Sequence, residues 1–180
     1  MSAWAACRIP APSEAERIAE LAERSLVLEI ETYPKPGLVS HVDTGSHTDM
    51  DAATFARSAA VLRPYFAELA DAGARDADMA VLRKIGLRGE HAMLAATGGV
   101  NTHRGAIFGL GLLCAAAGRR ATPGAVPGGT TLGAFVSRRW GADILGGPRL
   151  PDTPPCLRTP ASAPWSTTST RAPISSSAAR

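Results

Sequence analysis

Three short stretches gather the residue types able to do chemistry. The first is His47-Thr48-Asp49-Met50-Asp51. Two carboxylates two residues apart, at a loop-to-helix junction, can face one divalent cation. Carboxylate oxygens suit Mg²⁺, which keeps several waters and takes one or two protein carboxylates together with phosphate. The alternative is that Asp49 or Asp51 caps the following helix, and a cap leaves its neighbour free to ligate. The second stretch is Gly98-Gly99-Val100-Asn101-Thr102-His103-Arg104-Gly105. Glycines ahead of a helix let backbone N–H groups approach an anion, and the helix N-terminus favours negative charge. Arg104 adds a permanent cation. The Gly-Lys-Ser/Thr ending of a Walker loop is missing, and a plain turn between two helices is the alternative.

The third stretch centres on Lys35, held between Pro34 and Pro36. Either the restricted backbone aims its ammonium at a site, or it is a solvated surface lysine. Glu29 and Glu31 stand just before it at a helix C-terminus, an unfavourable place for a carboxylate. An unpaired pair there needs a reason, which a metal or a role as a base would supply. All four histidines lie between positions 41 and 103. A lone histidine is more often structural than catalytic, but His41, His47 and His103 sit among acids and glycines in two loop-like segments.

Helices must position these stretches. Ser13 and Glu16 form a capping box, and Ile18, Leu21, Ala22, Ser25 and Leu28 recur at helical spacing, so residues 13–31 read as a helix. Tyr33-Pro34-Lys35-Pro36-Gly37 ends it. Residues 33–50 form a loop long enough to be functional or disordered, and its content of Lys35, His41, Asp43, His47 and Asp49 favours function. A second helix spans about 51–72, with Phe55, Ala59, Leu62, Phe66 and Leu69 inward and Pro64 expected to kink or split it. A third runs from Asp76, read as its cap, to Ala96, with Met79, Leu82, Ile85, Met93 and Leu94 apolar. Gly86 and Gly89 weaken it by about 1 kcal/mol each relative to Ala, which is tolerated where a backbone or ligand comes close. A fourth runs from His103 to Ala117, with Ile107, Leu110, Leu113 and Cys114 inward and Gly105, Gly109 and Gly111 suggesting close packing. No convincing β-alternation appears. The fold class is all-α, a bundle-like helical domain with a tail.

Charge divides the chain. Lysine plus arginine total 19 against 16 acids, a net of +3. Residues 1–118 are net −3, and residues 119–180 are net +6. The motif-bearing part is therefore no nucleic-acid binder. No apolar run approaches the ~18 residues of a membrane span, and residues 1–12 lack a signal-peptide pattern. Cys7, Cys114 and Cys156 are odd in number and have no metal spacing, which fits a reduced, cytoplasmic protein. Domain organisation reads as 1–118, a helical domain; 119–150, a degenerate continuation with one more helix around Leu132–Leu145; and 151–180, a tail. In that tail Ser, Thr and Pro make up 17 of 30 residues, too polar to offset its chain entropy, so disorder is expected.

The same stretches carry a family resemblance. Residues 31–40 (ETYPKPGLVS), 45–51 (GSHTDMD) and 96–108 (ATGGVNTHRGAIF) resemble triphosphoribosyl-dephospho-CoA synthases. The form with Val39-Ser40-His41 and Gly45-Ser46-His47 is most similar to the malonate decarboxylase branch. The resemblance covers about residues 13–118. It implies an all-α transferase that joins ATP to 3′-dephospho-CoA and releases adenine. The product, 2′-(5″-triphosphoribosyl)-3′-dephospho-CoA, is the precursor of the prosthetic group of the decarboxylase acyl carrier protein. The 2′-hydroxyl would attack C1 of the ATP ribose with inversion, through an oxocarbenium-like transition state. A carboxylate would serve as base.

What the resemblance implies for the site follows from the same positions. Asp49, Asp51, His103 and Glu29 are the catalytic candidates, and Asp49 and Asp51 would hold Mg²⁺. Lys35, His41, His47, Gly98, Gly99, Asn101, Thr102 and Arg104 are the substrate-binding candidates. Lys35 and Arg104 would hold the triphosphate as adenine departs, and His103 or His47 would protonate adenine or position phosphate. The family's helical C-terminal half is not legible here. A trace returns at Trp140-Gly141 and 144–148, before Thr153-Pro154-Pro155-Cys156 departs from the pattern, as a truncated or frameshifted coding sequence would. Two alternatives stand beside the transferase: an inactive truncated remnant, and a metal-dependent nucleotide glycohydrolase that transfers ribose to water.

Overall fold

The computed structural model describes residues 11–147, and the tail expected to be disordered lies outside the described residues. Five helices account for the regular structure: α1 (Glu14–Glu31), α2 (Ala52–Ala74), α3 (Met79–Ala96), α4 (Arg104–Ala121) and α5 (Leu132–Leu145). There is no strand among the described residues, so the domain is all-α. No helix among them is long and apolar enough to cross a membrane.

The Ser13–Glu16 capping box forms in full. Ser13 Oγ accepts the Glu16 N–H at 3.1 Å, and Glu16 accepts the Ser13 N–H at 2.6 Å. The face that α1 buries is not the one its leucines suggest. Ala15, Ala19, Ala22, Leu26 and Ile30 point inward, while Leu21 and Leu28 are 66% and 49% exposed. Alanines let α1 lie close on α2, and the leucine-bearing side lines an open groove with Leu110, Leu113 and Leu132.

α2 is the central helix and touches α1, α3 and α4. It passes through Pro64 unbroken. Pro64 and Ala60 are both exposed, so the carbonyl that the proline ring leaves without its helical donor faces water. α3 is capped by Asp78, whose side chain accepts the Val81 N–H at 3.0 Å, and not by Asp76. Asp76 instead turns the chain at φ +58°, a left-handed conformation that Asp tolerates. Its carboxylate collects Arg119 from α4 and Arg139 from α5.

Consecutive helices α1 to α4 run antiparallel, so α2 and α4 run parallel. They cross closely at a pair of small residues. A Cβ on Gly73 would stand 1.9 Å from the Ala115 carbonyl oxygen, and one on Gly118 would stand 2.0 Å from that of Ala70. Gly111 is also tight, with Leu69 2.9 Å from its would-be Cβ, whereas Gly105 and Gly109 face open space. The close packing expected of those three glycines holds only at Gly111. At Gly89 the neighbour is the Tyr65 ring, and at Gly86 there is no close backbone. α5 joins the same core through Phe135 and Trp140, whose Nε1–H reaches the Ala77 carbonyl at 3.1 Å.

Candidate functional site

The antiparallel order brings four kinds of segment to one end of the bundle: the C-termini of α1 and α3, the 32–51 loop, the 97–103 turn, and the N-termini of α2 and α4. The N-termini of α2 and α4 lie side by side there, offset by the C-terminal carbonyls of α1 and α3, so the helix dipoles alone set no net sign at that end.

The loop is tied down chiefly by the end of α1. Thr32 N–H and Oγ1–H reach the Leu28 carbonyl at 3.1 and 2.9 Å, and His41 N–H reaches that of Ile30 at 3.0 Å. Lys35 Nζ donates both to the Glu29 carbonyl at 2.6 Å and to Glu29 Oε1 at 2.7 Å. The ammonium therefore neutralises the helix C-terminus and accounts for a carboxylate placed there. Within the loop, Val39 and Ser40 are buried, and Ser40 Oγ accepts the Val42 and Asp43 N–H groups. Gly45, at φ +58°, has Gly37 backbone 2.5 Å from any added Cβ, so no side chain fits there.

Asp51 caps α2. Its Oδ1 accepts the Thr54 hydroxyl at 2.7 Å and the Thr54 N–H at 2.8 Å. Those hydrogen bonds, the hydroxyl's first, hold its carboxyl below the usual aspartate value. Asp49 stands 3.5 Å from His47 Nδ1. No group of three or more His, Cys, Asp or Glu side chains gathers for a metal among the described residues.

One cavity of about 340 Å³ occupies this end of the bundle. Its polar lining is Glu29, His47, Asn101, Thr102 and His103, and its apolar walls include Leu26, Val39, Met50 and Phe55. Five sequence-derived candidates thus share one space. Lys35 adjoins it through Glu29, and Asp49 adjoins it through His47. His41 is exposed against the Tyr33 ring, and Gly98 and Gly99 form an open left-handed turn. Arg104 is engaged by Glu90 of α3, with Nε–Oε1 at 2.6 Å. These four do not line the cavity.

His103 is the most constrained of the set. It is 5% exposed, and its backbone N–H points to Met93 Sδ at 3.2 Å. Its ring meets Phe55 in a T-shaped contact at 4.9 Å. Burial pushes its pKa below the ordinary histidine value, partly opposed by the negative charge of Glu29. Nδ1 is 2.7 Å from Ser58 Oγ, which in turn accepts from Thr102 Oγ1 at 2.7 Å. Nε2 is buried with no protein partner. Ser58 escaped the sequence reading, although a signal existed: it falls between Phe55 and Leu62 on the inward stripe of α2, where a lone hydroxyl requires a buried partner.

A family model described as ATP:dephospho-CoA triphosphoribosyl transferase matches residues 15–142. The curated relatives include a probable 2-(5''-triphosphoribosyl)-3'-dephosphocoenzyme-A synthase of Albidiferax ferrireducens, 49% identical over 124 residues, which are 63% of this chain and 41% of that protein. The synthase of Klebsiella pneumoniae is 46% identical over 119 residues, 63% of this chain and 39% of its own length. A probable synthase of Stutzerimonas stutzeri is 43% identical over 148 residues, 79% of this chain and half of its own. The chain spans about two fifths of the length of the first two. No solved structure matches. Because the family match runs from the first helix into the fifth, the chain belongs to the ATP:dephospho-CoA triphosphoribosyl transferase family.

Proposed function

We propose that this chain takes part in transferring the triphosphoribosyl group of ATP to the 2′-hydroxyl of 3′-dephospho-CoA, with release of adenine. The observation that carries the reading is the convergence of Glu29, His47, Asn101, Thr102 and His103 on one cavity, with the Nε2 of His103 buried and without a protein partner. A reaction that breaks a glycosidic bond to a purine needs a group to meet the departing base and a carboxylate to take the hydroxyl proton. His103 serves as the first and Glu29 as the second.

The triphosphate stays on the product, so its charge must be held while adenine leaves. Asp49 and Asp51 would hold Mg²⁺, with Asp51 Oδ1 already engaged by Thr54. Two carboxylates suit an ion that draws its other ligands from phosphate and water. When bound, Mg²⁺ would neutralise phosphate charge. Lys35, Arg104, His41 and the Gly98-Gly99 turn supply further contacts to the phosphates. Lys35 must leave Glu29, and Arg104 must leave Glu90, to do so. Exposed ion pairs contribute only about 0–1 kcal/mol, so the Arg104 exchange is inexpensive. The product serves the acyl carrier protein of a malonate decarboxylase in the cytoplasm.

The test is adenine release from ATP by the purified chain, measured by chromatography with and without 3′-dephospho-CoA. Dephospho-CoA-dependent release that falls at least a hundredfold in His103→Gln is expected, in line with the weight of a positioned acid–base group. Adenine formed equally without dephospho-CoA would replace the transferase with a glycohydrolase. No release under either condition would refute turnover by this chain.

A further inference from the structure

Ser58 is fully buried on α2, and its hydroxyl is shared between two neighbours at 2.7 Å each, Thr102 Oγ1 and His103 Nδ1. A serine hydroxyl has one proton and two lone pairs. Where Thr102 donates to Ser58 Oγ, the serine proton is left for Nδ1; the reverse order of donors would put the imidazole proton on Nδ1. A neutral imidazole accepting at Nδ1 carries its own proton on Nε2. That atom is the buried one without a protein partner. Phe55 packs against the ring and opposes a flip that would take Nδ1 away from Ser58.

We propose that Ser58 is a positioning residue: through Thr102 and Ser58, the chain holds His103 as its Nε2–H tautomer, a hydrogen-bond donor for a ring nitrogen of a purine base seated in the cavity. The lining favours a base over a phosphate. Leu26, Val39, Met50 and Phe55 give apolar walls for a flat ring. The charged or titratable groups lining the cavity are Glu29 from α1, His47 from the loop and His103 from the 97–103 turn; Glu29 is already paired with Lys35, and no Lys or Arg lines the cavity to hold a phosphate. A neutral donor needs no counter-ion in such a space, whereas an imidazolium there loses its hydration. The inference rests on the transferase reading for the origin of the purine, but the tautomer does not depend on it.

Nitrogen-15 NMR of histidine-labelled full chain reads the tautomer directly. The expected result is an unprotonated Nδ1 and a protonated Nε2 for His103 at neutral pH. Titration with free adenine should then move the Nε2 signal. In Ser58→Ala the preference should collapse towards a mixture of tautomers, and the Kd for adenine should rise about tenfold, the loss of one hydrogen bond. Thr102→Val, a change at a less buried position, should weaken the same preference without emptying the core. A wild-type His103 protonated on Nδ1 would overturn the assignment of Ser58, whatever the activity. The expected tautomer with no response to adenine would overturn the purine ligand, while adenine release from ATP separately decides the transferase reading.

Discussion

Alanine at the α2–α4 crossing should destabilise the bundle, although alanine elsewhere in the same helix stabilises it. A Cβ on Gly118 would lie 2.0 Å from the Ala70 carbonyl oxygen, and one on Gly73 would lie 1.9 Å from that of Ala115, against a closest real approach of about 3.0 Å. Each overlap is therefore about 1 Å, and each obstacle is helical main chain that cannot rotate aside. Relief requires the two helices to part along their shared core of Leu69, Ala70, Leu112 and Ala115. Overpacking of this kind costs about 1–3 kcal/mol, and more when backbone must move. Better helix propensity returns only about 1 kcal/mol. Each single variant should thus lose about 2 kcal/mol net. Gly109→Ala has open space around it and should gain up to about 1 kcal/mol. Equilibrium urea unfolding followed by circular dichroism measures the roughly 3 kcal/mol spread between two alanines in one helix. The double variant Gly73→Ala/Gly118→Ala should cost less than the sum, because the first separation makes room for the second. Equal stability of Gly118→Ala and Gly109→Ala, or strict additivity of the pair, would refute the reasoning.

Asp51→Asn preserves the cap, since Asn and Asp cap comparably, so its urea midpoint should stay near wild type while that of Asp51→Ala falls. If Asp51 also holds Mg²⁺, both variants lose adenine release, and full release by the Asn variant would remove that role. His103 has its folded pKa below the ordinary 6.5, so acid protonates the unfolded chain first. The His103 contribution is complete above that value and declines as pH falls below it. His103→Gln should therefore flatten the pH dependence of the urea midpoint on the acid side of neutrality, and an unchanged slope would contradict the burial argument. Burial pushes the Cys114 thiol up to about 12, so peptide mapping after alkylation at about pH 8 should find Cys114 unmodified in the native chain and modified in urea. Rapid native modification would show that this core opens readily.

Helix starts and stops were legible because they are local chemistry. The Ser13–Glu16 box, the Pro34–Gly37 stop and the acid at 51 each bond within a few residues. The buried face of α1 was not, because it is built of alanines whose value depends on how near α2 lies, and leucines at 21 and 28 outweigh them in any hydropathy pattern. The cap of α3 was misplaced by two residues because Asp76 and Asp78 look alike until Arg119 and Arg139, far along the chain, claim the first. The candidates that line the cavity, Glu29, His47, Asn101, Thr102 and His103, all lie in or beside stretches that residue type singles out. Ser58 was missed because its two partners lie 44 and 45 residues away.

The way the 32–51 loop is fastened divides the cavity into two bodies. Beyond turns of its own, its hydrogen bonds go to the last carbonyls of α1, and none joins residues 33–50 to α2 or α4 among the described residues. One wall, carrying Leu26, Glu29, Val39, His47 and Met50, therefore belongs to α1 and its loop. The opposing wall, with Phe55, Thr102 and His103, belongs to the interlocked α2–α4 pair. In mechanical terms the two walls form a jaw and an anvil. The anvil is set by a backbone crossing that admits no side chain, and the jaw bears on it through alanines and a few larger apolar contacts. Substitutions along the alanine face of α1 would thus change the gape of the cavity without disturbing a single hydrogen bond of the histidine opposite.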